Sequence, residues 1–260
     1  IRVSTLPSSF GERLVLRLLD KADASLDLEE LGMTSEMTKD YLQQLKSTSG
    51  IILVTGPTGS GKTTTLYSGL NFLNDQTRTI LTVEDPIEYA LEGVGQTQVN
   101  NKVGLSFSKG LRAILRQDPD VVMVGEIRDK ETAETAIQAS LTGHLVLSTI
   151  HTNDSVGAIT RLIDMGVEPY LLASTLKMVI AQRLVRKLIN KNEFSGRVGI
   201  FEMIKIDSEI KNYINETVDE DKIRKIAFKK YNSLLNDGEE KVKKGITSEL
   251  EIKRVLKQVD

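Results

Sequence analysis

The sequence contains no cysteine and no tryptophan. Without thiols the chain forms neither a disulfide bond nor a zinc site with thiolate ligands. It also lacks a run of about 18 apolar residues and a recognisable signal peptide, so nothing in it predicts a membrane span or a leader. The 34 basic and 36 acidic residues give a net charge of −2, which argues against nucleic-acid binding driven by overall charge.

At 260 residues the chain is longer than a typical single domain and has enough residues for a large core. It begins with Ile1 instead of methionine, so we interpret it as part of a longer cytoplasmic protein. From residue 51 onward, strand and helix patterns alternate. This alternation predicts a doubly wound, mostly parallel α/β sheet. We expect strands at 51–55, 79–83, 120–124 and 145–149, and helices near 61–73, 108–116, 130–140 and 155–165.

Beyond about residue 190 the pattern changes. The stretch GRVGIFEMI, residues 196–204, predicts a strand, and apolar residues at helical spacing follow it. At the other end, residues 1–19 predict a β-hairpin in which Arg2 lies opposite Arg17. Like charges at facing positions destabilise a ladder, so a bound anion would relieve their repulsion. A solvated polar face is the alternative interpretation.

The glycine-rich stretch GPTGSGKTTT, residues 56–65, fits the phosphate-loop pattern G-x-x-x-x-G-K-[ST]. An apolar run that predicts a buried strand precedes it, and a predicted helix follows. Glycine permits positive φ, so successive backbone N–H groups and the helix N-terminus face an anion. In this pattern Lys62 binds the β- and γ-phosphates and the Thr63 hydroxyl holds Mg²⁺. The nucleotide-binding residues predicted in this phosphate loop are Gly56, Thr58, Gly59, Ser60, Gly61, Lys62, Thr63 and Thr64.

Acidic residues follow two of the predicted strands. Glu84 and Asp85 lie at the carboxyl end of a strand, where open α/β sheets bind ligands, so they are candidates for holding a Mg²⁺-bound or attacking water. Turn and capping chemistry is the alternative for this Asp-Pro segment. Glu126 follows the strand at 120–124 and is the leading candidate for polarising the water. The alternative for Glu126 is a surface ion pair with Arg128.

The two histidines flank the predicted strand at 145–149. His151 follows its carboxyl end, level with the acids, and is a candidate sensor of the γ-phosphate. His144 lies at the opposite end, and a structural role is an equally good interpretation of it. Arg112 and Arg116 form a basic stripe at i, i+4, which is either a solvated face or a contact with another subunit or an anionic partner.

Four stretches resemble, in chain order, the motifs of secretion ATPases. GPTGSGKTTTLY, TVEDPIEY, RQDPDVVMVGEIRD and TGHLVLSTIHTND are similar to their Walker A, Asp box, Walker B and His box. The type II secretion and type IV pilus assembly branch matches best, over essentially the whole chain. The resemblance implies a RecA-like phosphate-loop motor domain with a C-terminal helical part, preceded by the end of a smaller upstream α+β domain. We accordingly divide the chain at 1–30, 31–190 and 191–260.

Members of this family are cytoplasmic hexamers that bind ATP and Mg²⁺ between the upstream domain and the motor domain. By resemblance, Glu126 and Glu84 are the catalytic residues. Arg2, Arg17 and His151 reach the phosphates, and the segment Leu31–Met33 lies by the adenine. The implied partners are further copies of the chain, an inner-membrane platform protein, a membrane-bound adaptor and acidic phospholipid. No nucleic acid is expected.

One difference concerns zinc. Assembly-branch members carry four zinc-binding cysteines between the segments that match QRLVRKL and GRVGI, whereas here only INKNEFS joins them. We therefore expect no zinc. Pilus retraction ATPases also lack this insert, so retraction or DNA transport is the first alternative function. A nucleic-acid motor and a nucleotide-gated assembly module are the others, although no aromatic and basic strand-binding stretch supports the former.

Overall fold

A computed structural model describes residues 2–17, 27–190, 193–216 and 219–256 of the chain. The predicted hairpin is confirmed. Strand β1, Arg2–Ser8, pairs antiparallel with β2, Gly11–Arg17, and Arg2 is the partner of Arg17. Apolar side chains of the hairpin, among them Leu6 and Phe10, are exposed. Most of the segment that joins the hairpin to the rest of the chain lies outside the described residues.

The central sheet has seven described strands in the order β5-β4-β6-β7-β3-β8-β9. Their neighbours pair in parallel except for β9, which runs antiparallel to β8. The four predicted strands are confirmed as β3, β4, β6 and β7, whereas β5 and β8 were not predicted. The strand bounds are β3 Gly50–Thr55, β4 Ile80–Glu84, β5 Gly95–Gln98, β6 Val121–Val124, β7 Leu145–Ile150, β8 Leu176–Asn190 and β9 Glu193–Lys205.

Helices follow the strands and cover the sheet. The four predicted helices correspond to α2, α3, α4 and α5, and the acids Asp129 and Asp154 cap the last two through the backbone N–H groups of Thr132 and Gly157. No helix among the described residues is long and apolar enough to cross a bilayer. The helix bounds are α1 Ser35–Leu45, α2 Lys62–Leu73, α3 Phe107–Ile114, α4 Lys130–Leu141, α5 Ser155–Asp164, α6 Pro169–Thr175, α7 Ser208–Glu216, α8 Glu220–Ala227, α9 Leu234–Lys243 and α10 Glu249–Leu256.

The middle strands β6, β7 and β3 are buried along their whole length and mostly apolar, because both faces of the sheet are covered. Successive side chains of a strand point to opposite faces. In β3, Ile51 and Leu53 join the larger core cluster, while Ile52 and Val54 join a second cluster with residues of α1 and α2. Two cores therefore hold the sheet from its two sides and fix where its carboxyl edge lies.

The sheet continues beyond residue 190. β8 and β9 form a long hairpin, so residues 193–205 belong to the central sheet, and helix begins only at Ser208. A third apolar cluster packs α9 and α10 against this hairpin through Val185, Val198, Leu234 and Ile252. The three-part division of the chain stays a prediction.

A buried carboxylate joins α1 to the C-terminal part. Asp40 on α1 accepts hydrogen bonds from Lys230 Nζ at 2.7 Å, Tyr231 Oη at 2.5 Å and Lys205 Nζ at 3.3 Å. Burial raises the pKa of Asp40, but the hydrogen bonds from Lys230, Tyr231 and Lys205 outweigh it and lower the pKa to about 2. The ionised carboxylate therefore holds α1 against β9 and the segment after α8.

This arrangement predicts an acid-sensitive part of the free energy of unfolding. The pKa of Asp40 falls from its ordinary value of 3.8 to about 2 on folding. The stabilisation, on the order of 2 kcal/mol, is therefore complete above about pH 4 and is lost as the pH falls toward 2. We expect urea unfolding of Asp40→Asn to show this deficit at pH 6 and a smaller one at pH 2.5. A deficit of the same size at both pH values would contradict the assignment.

Candidate active site

The phosphate loop connects the end of β3 at Thr55 to the start of α2 at Lys62. Positive φ angles, predicted at its glycines, are confirmed at 147° for Gly56, 78° for Gly59 and 88° for Gly61. Strand β8 lies directly behind this loop. A Cβ at Gly56 would lie 2.4 Å from the carbonyl oxygen of Gln182, and one at Gly61 would lie 2.7 Å from Gln182 Nε2. Backbone conformation and close packing thus both favour glycine at positions 56 and 61, and backbone conformation alone favours it at position 59.

Lys62 Nζ is held over the loop by carbonyl groups. It donates to the carbonyl oxygens of Gly56 at 2.9 Å and Pro57 at 3.0 Å. Burial lowers the pKa of Lys62. Glu126 opposes this effect and Arg183 adds to it. An ammonium group carries three hydrogens, so a donor remains for a phosphate oxygen beside the loop.

A cavity of about 340 Å³ lies at the carboxyl ends of β3, β4, β6 and β7. The carboxyl edge is where open parallel sheets bind ligands, because helix N-termini and loops converge there. Lys62 and Thr63 of the phosphate loop line the cavity, and Glu84, Glu126 and His151 line it from the three other strand ends. Residues that are almost 90 positions apart in the sequence thus share one site.

Glu126 has both carboxylate oxygens beside a basic group. Oε1 accepts from Arg128 Nη2 at 2.5 Å, and Oε2 lies 3.2 Å from His151 Nε2. The Glu126 side chain is 13% exposed, whereas those of Arg128 and His151 are 60% and 47% exposed. The ion pair considered as an alternative does form, and both of its residues line the cavity. Because its partners are exposed, they can move without disturbing the core.

Glu84 is held differently. It is buried, and its carboxylate accepts from Tyr67 Oη at 2.5 Å, Thr82 Oγ1 at 2.6 Å and Gln96 Nε2 at 3.0 Å. These bonds tie α2, β4 and β5 together. Sequence reasoning did not find Tyr67 or Gln96, because their contact with Glu84 depends on strand order. The carboxylate of Glu84 is therefore rigid, while that of Glu126 has exchangeable partners.

Residues 1–257 match the model of a family described as Type II/IV secretion system protein. The chain belongs to this family. The predicted resemblance is thus confirmed, and it spans nearly the whole sequence.

Two curated members of the secretion family illustrate the similarity. The type II secretion system protein E of Pseudomonas aeruginosa is 51% identical over 294 aligned positions, which cover 99% of this chain and 59% of that protein. The type II secretion system ATPase E of Vibrio cholerae is 50% identical, with 99% and 58% covered. The chain therefore spans somewhat more than half the length of these relatives.

The length of that alignment also bears on the missing insert. It extends over 294 positions although the chain has 260 residues, so at least 34 positions of the Pseudomonas protein have no counterpart here. A gap of this kind agrees with the seven-residue connection INKNEFS at residues 189–195, where the resemblance leads us to expect a longer segment.

Solved structures agree with the fold prediction. The pilus retraction motor PilT with bound ADP superposes with a TM-score of 0.80 at 32% identity, covering 96% of this chain and 72% of that one. The ATPase DotB of Legionella pneumophila gives 0.74 at 29% identity, with 88% and 64% covered. The family member described here therefore has the RecA-like α/β fold of secretion ATPases.

Two other acids line the cavity of this secretion-family protein. Asp85 and Glu88 are exposed and face the same space as Thr63. Carboxylates and a hydroxyl are oxygen donors of the kind that Mg²⁺ prefers. Together with the glycine cradle of the loop, this donor set fits a magnesium–nucleotide complex. Glu88 was not singled out from the sequence, although it lies in the same TVEDPIEY stretch.

The structure places His144 and Arg112 outside the lining of the cavity. His144 lies at the opposite end of β7, as predicted, and its Nδ1 is 2.9 Å from the carbonyl oxygen of Ala139 at the end of α4. Arg112 pairs with Glu131 at 2.7 Å. For Arg2 and Arg17 the structure gives the backbone register, and their side chains lie outside the description.

The segment Leu31–Met33 packs beside β9. The carbonyl oxygen of Leu31 accepts from the N–H of Gly199 at 2.8 Å. Gly199 pairs with Leu184 on β8, and the side chain of Leu184 lies near Gly61 of the phosphate loop. Strands β9 and β8 thus lie between this segment and the phosphate loop, and the adenine contact that the family resemblance implies stays a prediction.

Proposed function

We propose that this chain is the motor part of an ATP-hydrolysing secretion ATPase that powers type II secretion or type IV pilus assembly. The convergence of Lys62, Thr63, Glu126 and His151 on one cavity carries this proposal. Such a constellation suits phosphoryl transfer to water, which depends on positioning and on positive charge near the phosphates. Membership of the secretion family and 51% identity to a type II secretion protein E support a role as a secretion ATPase.

In the proposed reaction each side chain has a distinct task. The phosphate-loop N–H groups and Lys62 bind the phosphates, and Lys62 exchanges its two carbonyl contacts for phosphate oxygens. Thr63 and Asp85 would hold Mg²⁺, which when bound neutralises part of the phosphate charge. Glu126 orients the attacking water and accepts its proton. Glu84, fixed by three hydrogen bonds, supplies an acceptor whose position does not change.

His151 and the hairpin arginines complete the proposal. His151 lies beside Glu126, so it is placed to sense the γ-phosphate that the water oriented by Glu126 would attack. Arg2 and Arg17, paired across β1 and β2, would reach the phosphates when the upstream part closes on the motor domain. ATP turnover would then drive domain motion within a homo-hexamer at the cytoplasmic face of the inner membrane. A platform protein and a membrane-bound adaptor would receive the motion.

Pilus retraction is the second candidate function, and one observation favours it. The chain covers 72% of the retraction motor PilT with a TM-score of 0.80, and like the retraction ATPases it lacks the cysteine-containing insert. The identity to PilT is 32%, against 51% for the type II secretion protein E. This difference in identity makes secretion or pilus assembly the leading proposal.

The proposed function is tested by the rate of Mg²⁺-dependent ATP hydrolysis across a protein dilution series. If rings form weakly, we expect the specific activity to rise with protein concentration, because a subunit needs its neighbours. Vesicles containing acidic phospholipid are expected to stimulate the rate, and DNA is expected to leave it unchanged. Full activity from a monomer would contradict the ring. Strong stimulation by DNA would indicate a nucleic-acid motor.

A further inference from the structure

A buried arginine lies behind the phosphate loop. β8 runs parallel to β3, and Ala181 pairs with Thr55, the last residue of β3. Gln182 and Arg183 follow on β8 where β3 has already turned into the loop, so the loop rests on them. The guanidinium Nη1 of Arg183 would lie 3.2 Å from a Cβ at Gly56.

The neighbour of Arg183 fixes the loop sterically. Gln182 Oε1 accepts from Thr65 Oγ1 of α2 at 2.7 Å, and the backbone and side chain of Gln182 occupy the space beside Gly56 and Gly61. Arg183 itself adds one strong contact. Its Nη2 donates to the carbonyl oxygen of Asn153 at 2.6 Å, in the segment after His151.

The charge of Arg183 has no close counter-ion. The residue is 4% exposed, and its hydrogen-bond acceptors are the neutral carbonyl oxygens of Gln182 and Asn153. Among the residues that the structure describes, no carboxylate lies within ion-pair distance of it. Burial of a cation without such a partner is costly, so a charge of this kind calls for an anion nearby.

The acids that act on Arg183 from a distance are engaged elsewhere. Asp154 pairs with Arg224 at 2.8 Å. Glu202 accepts hydrogen bonds from the N–H and hydroxyl of Ser155 and from the N–H of Leu234. Burial lowers the pKa of Arg183 and the two acids oppose this, but an arginine stays protonated at neutral pH. The Arg183 guanidinium therefore stays charged at the back of the loop, where Glu202 and Asp154 act on it only through space.

We propose that Arg183 is a positioning residue for the polyphosphate, supplying a fixed positive charge from behind the phosphate loop. This inference rests on the proposed nucleotide site and extends it to a residue that no loop motif contains. Lys62 faces the same phosphates from the cavity side, and the burial of Arg183 makes the field of its charge less screened by solvent. The attraction grows with the charge of the ligand, so it discriminates ATP from ADP.

The test is the dissociation constant of ATP and of ADP for the purified chain and for Arg183→Met, which keeps an unbranched stem and removes the charged guanidinium. We expect the Kd of ATP to rise about tenfold and the Kd of ADP to rise by a smaller factor. Arg183→Lys keeps the charge and should retain the preference for ATP. Lys187→Met removes a positive charge four residues along β8 and should change neither constant.

Three results would overturn the inference. Unchanged binding in Arg183→Met is one. An equal loss of ATP and ADP affinity accompanied by a lower Tm is another, since it would show a purely structural role. If Arg183→Met does not fold, the lysine variant decides, and equal weakening of both nucleotides in it counts against the inference. If the unaltered chain binds no nucleotide, the proposed function itself fails, which is a distinguishable outcome.

Discussion

Replacing Glu126 with glutamine is expected to abolish ATP turnover and to leave ATP binding nearly unchanged. Glutamine keeps the volume and one acceptor oxygen, so the contacts with Arg128 and His151 are weakened but not sterically disturbed. It cannot accept a proton from water. We expect kcat to fall by a factor of about 100 or more. Steady-state hydrolysis and equilibrium binding of ATP measure the two quantities separately.

A matched control for this substitution is Glu134→Gln. Glu134 lies on the exposed side of α4, where Lys130 is 3.6 Å away, so its change removes one carboxylate of the same type outside the cavity. Surface pairs of this kind contribute little to stability. Its kcat should equal that of the unaltered chain. Turnover near the normal rate in Glu126→Gln would show that another group, such as Glu84, performs the proton transfer.

The second large effect is expected from Gly56→Ala. The new Cβ would lie 2.4 Å from the backbone oxygen of Gln182, a group that cannot move without distorting β8. The φ of 147° is also unfavourable for alanine. We expect the free energy of unfolding to fall by about 3 kcal/mol and the loop to lose its phosphate-binding shape. Urea unfolding without nucleotide, followed by ATP titration, measures both.

Gly59→Ala separates backbone strain from steric overlap. Gly59 has a φ of 78°, but a Cβ there would meet no atom within 4 Å. Only the strain of positive φ remains, which costs alanine about 1 kcal/mol. Gly56→Ala should therefore be the less stable variant by about 2 kcal/mol. Equal stability of the two variants would show that the loop moves away from β8 at little cost.

The strands of the motor fold were predictable wherever a short apolar run marked them in the sequence. β3, β4, β6 and β7 are short apolar runs with turn or loop signals at their ends, and the structure confirms all four. β5, with the sequence GQTQ, has no apolar pattern because it is a four-residue edge strand with little buried surface. β8 was not predicted for a different reason. Its apolar residues follow directly on α6, and nothing in a single sequence separates a buried strand from a buried helix there.

In the candidate site, the positions of the main residues were predictable from the sequence, but most of their side-chain contacts were not. The phosphate loop and the residues after the strands were located because the carboxyl ends of parallel strands meet at one edge. The pair of Glu126 with Arg128 was considered from the sequence, but the contacts of Glu84 with Tyr67 and Gln96 and of Glu126 with His151 were not predictable. These contacts join α2, β5 and β7 to the acids, and they depend on which strands are neighbours.

The sequence by itself determined the phosphate loop, the positive φ of its glycines, the alternation of strands and helices and the hairpin register of Arg2 and Arg17. Each is a local property, set by backbone sterics or by side-chain period over a few residues. Only the tertiary structure decided the strand order, the long β8–β9 hairpin and the position of Arg183 behind the loop. Those features arise from burying both faces of one sheet, which brings together residues more than a hundred positions apart.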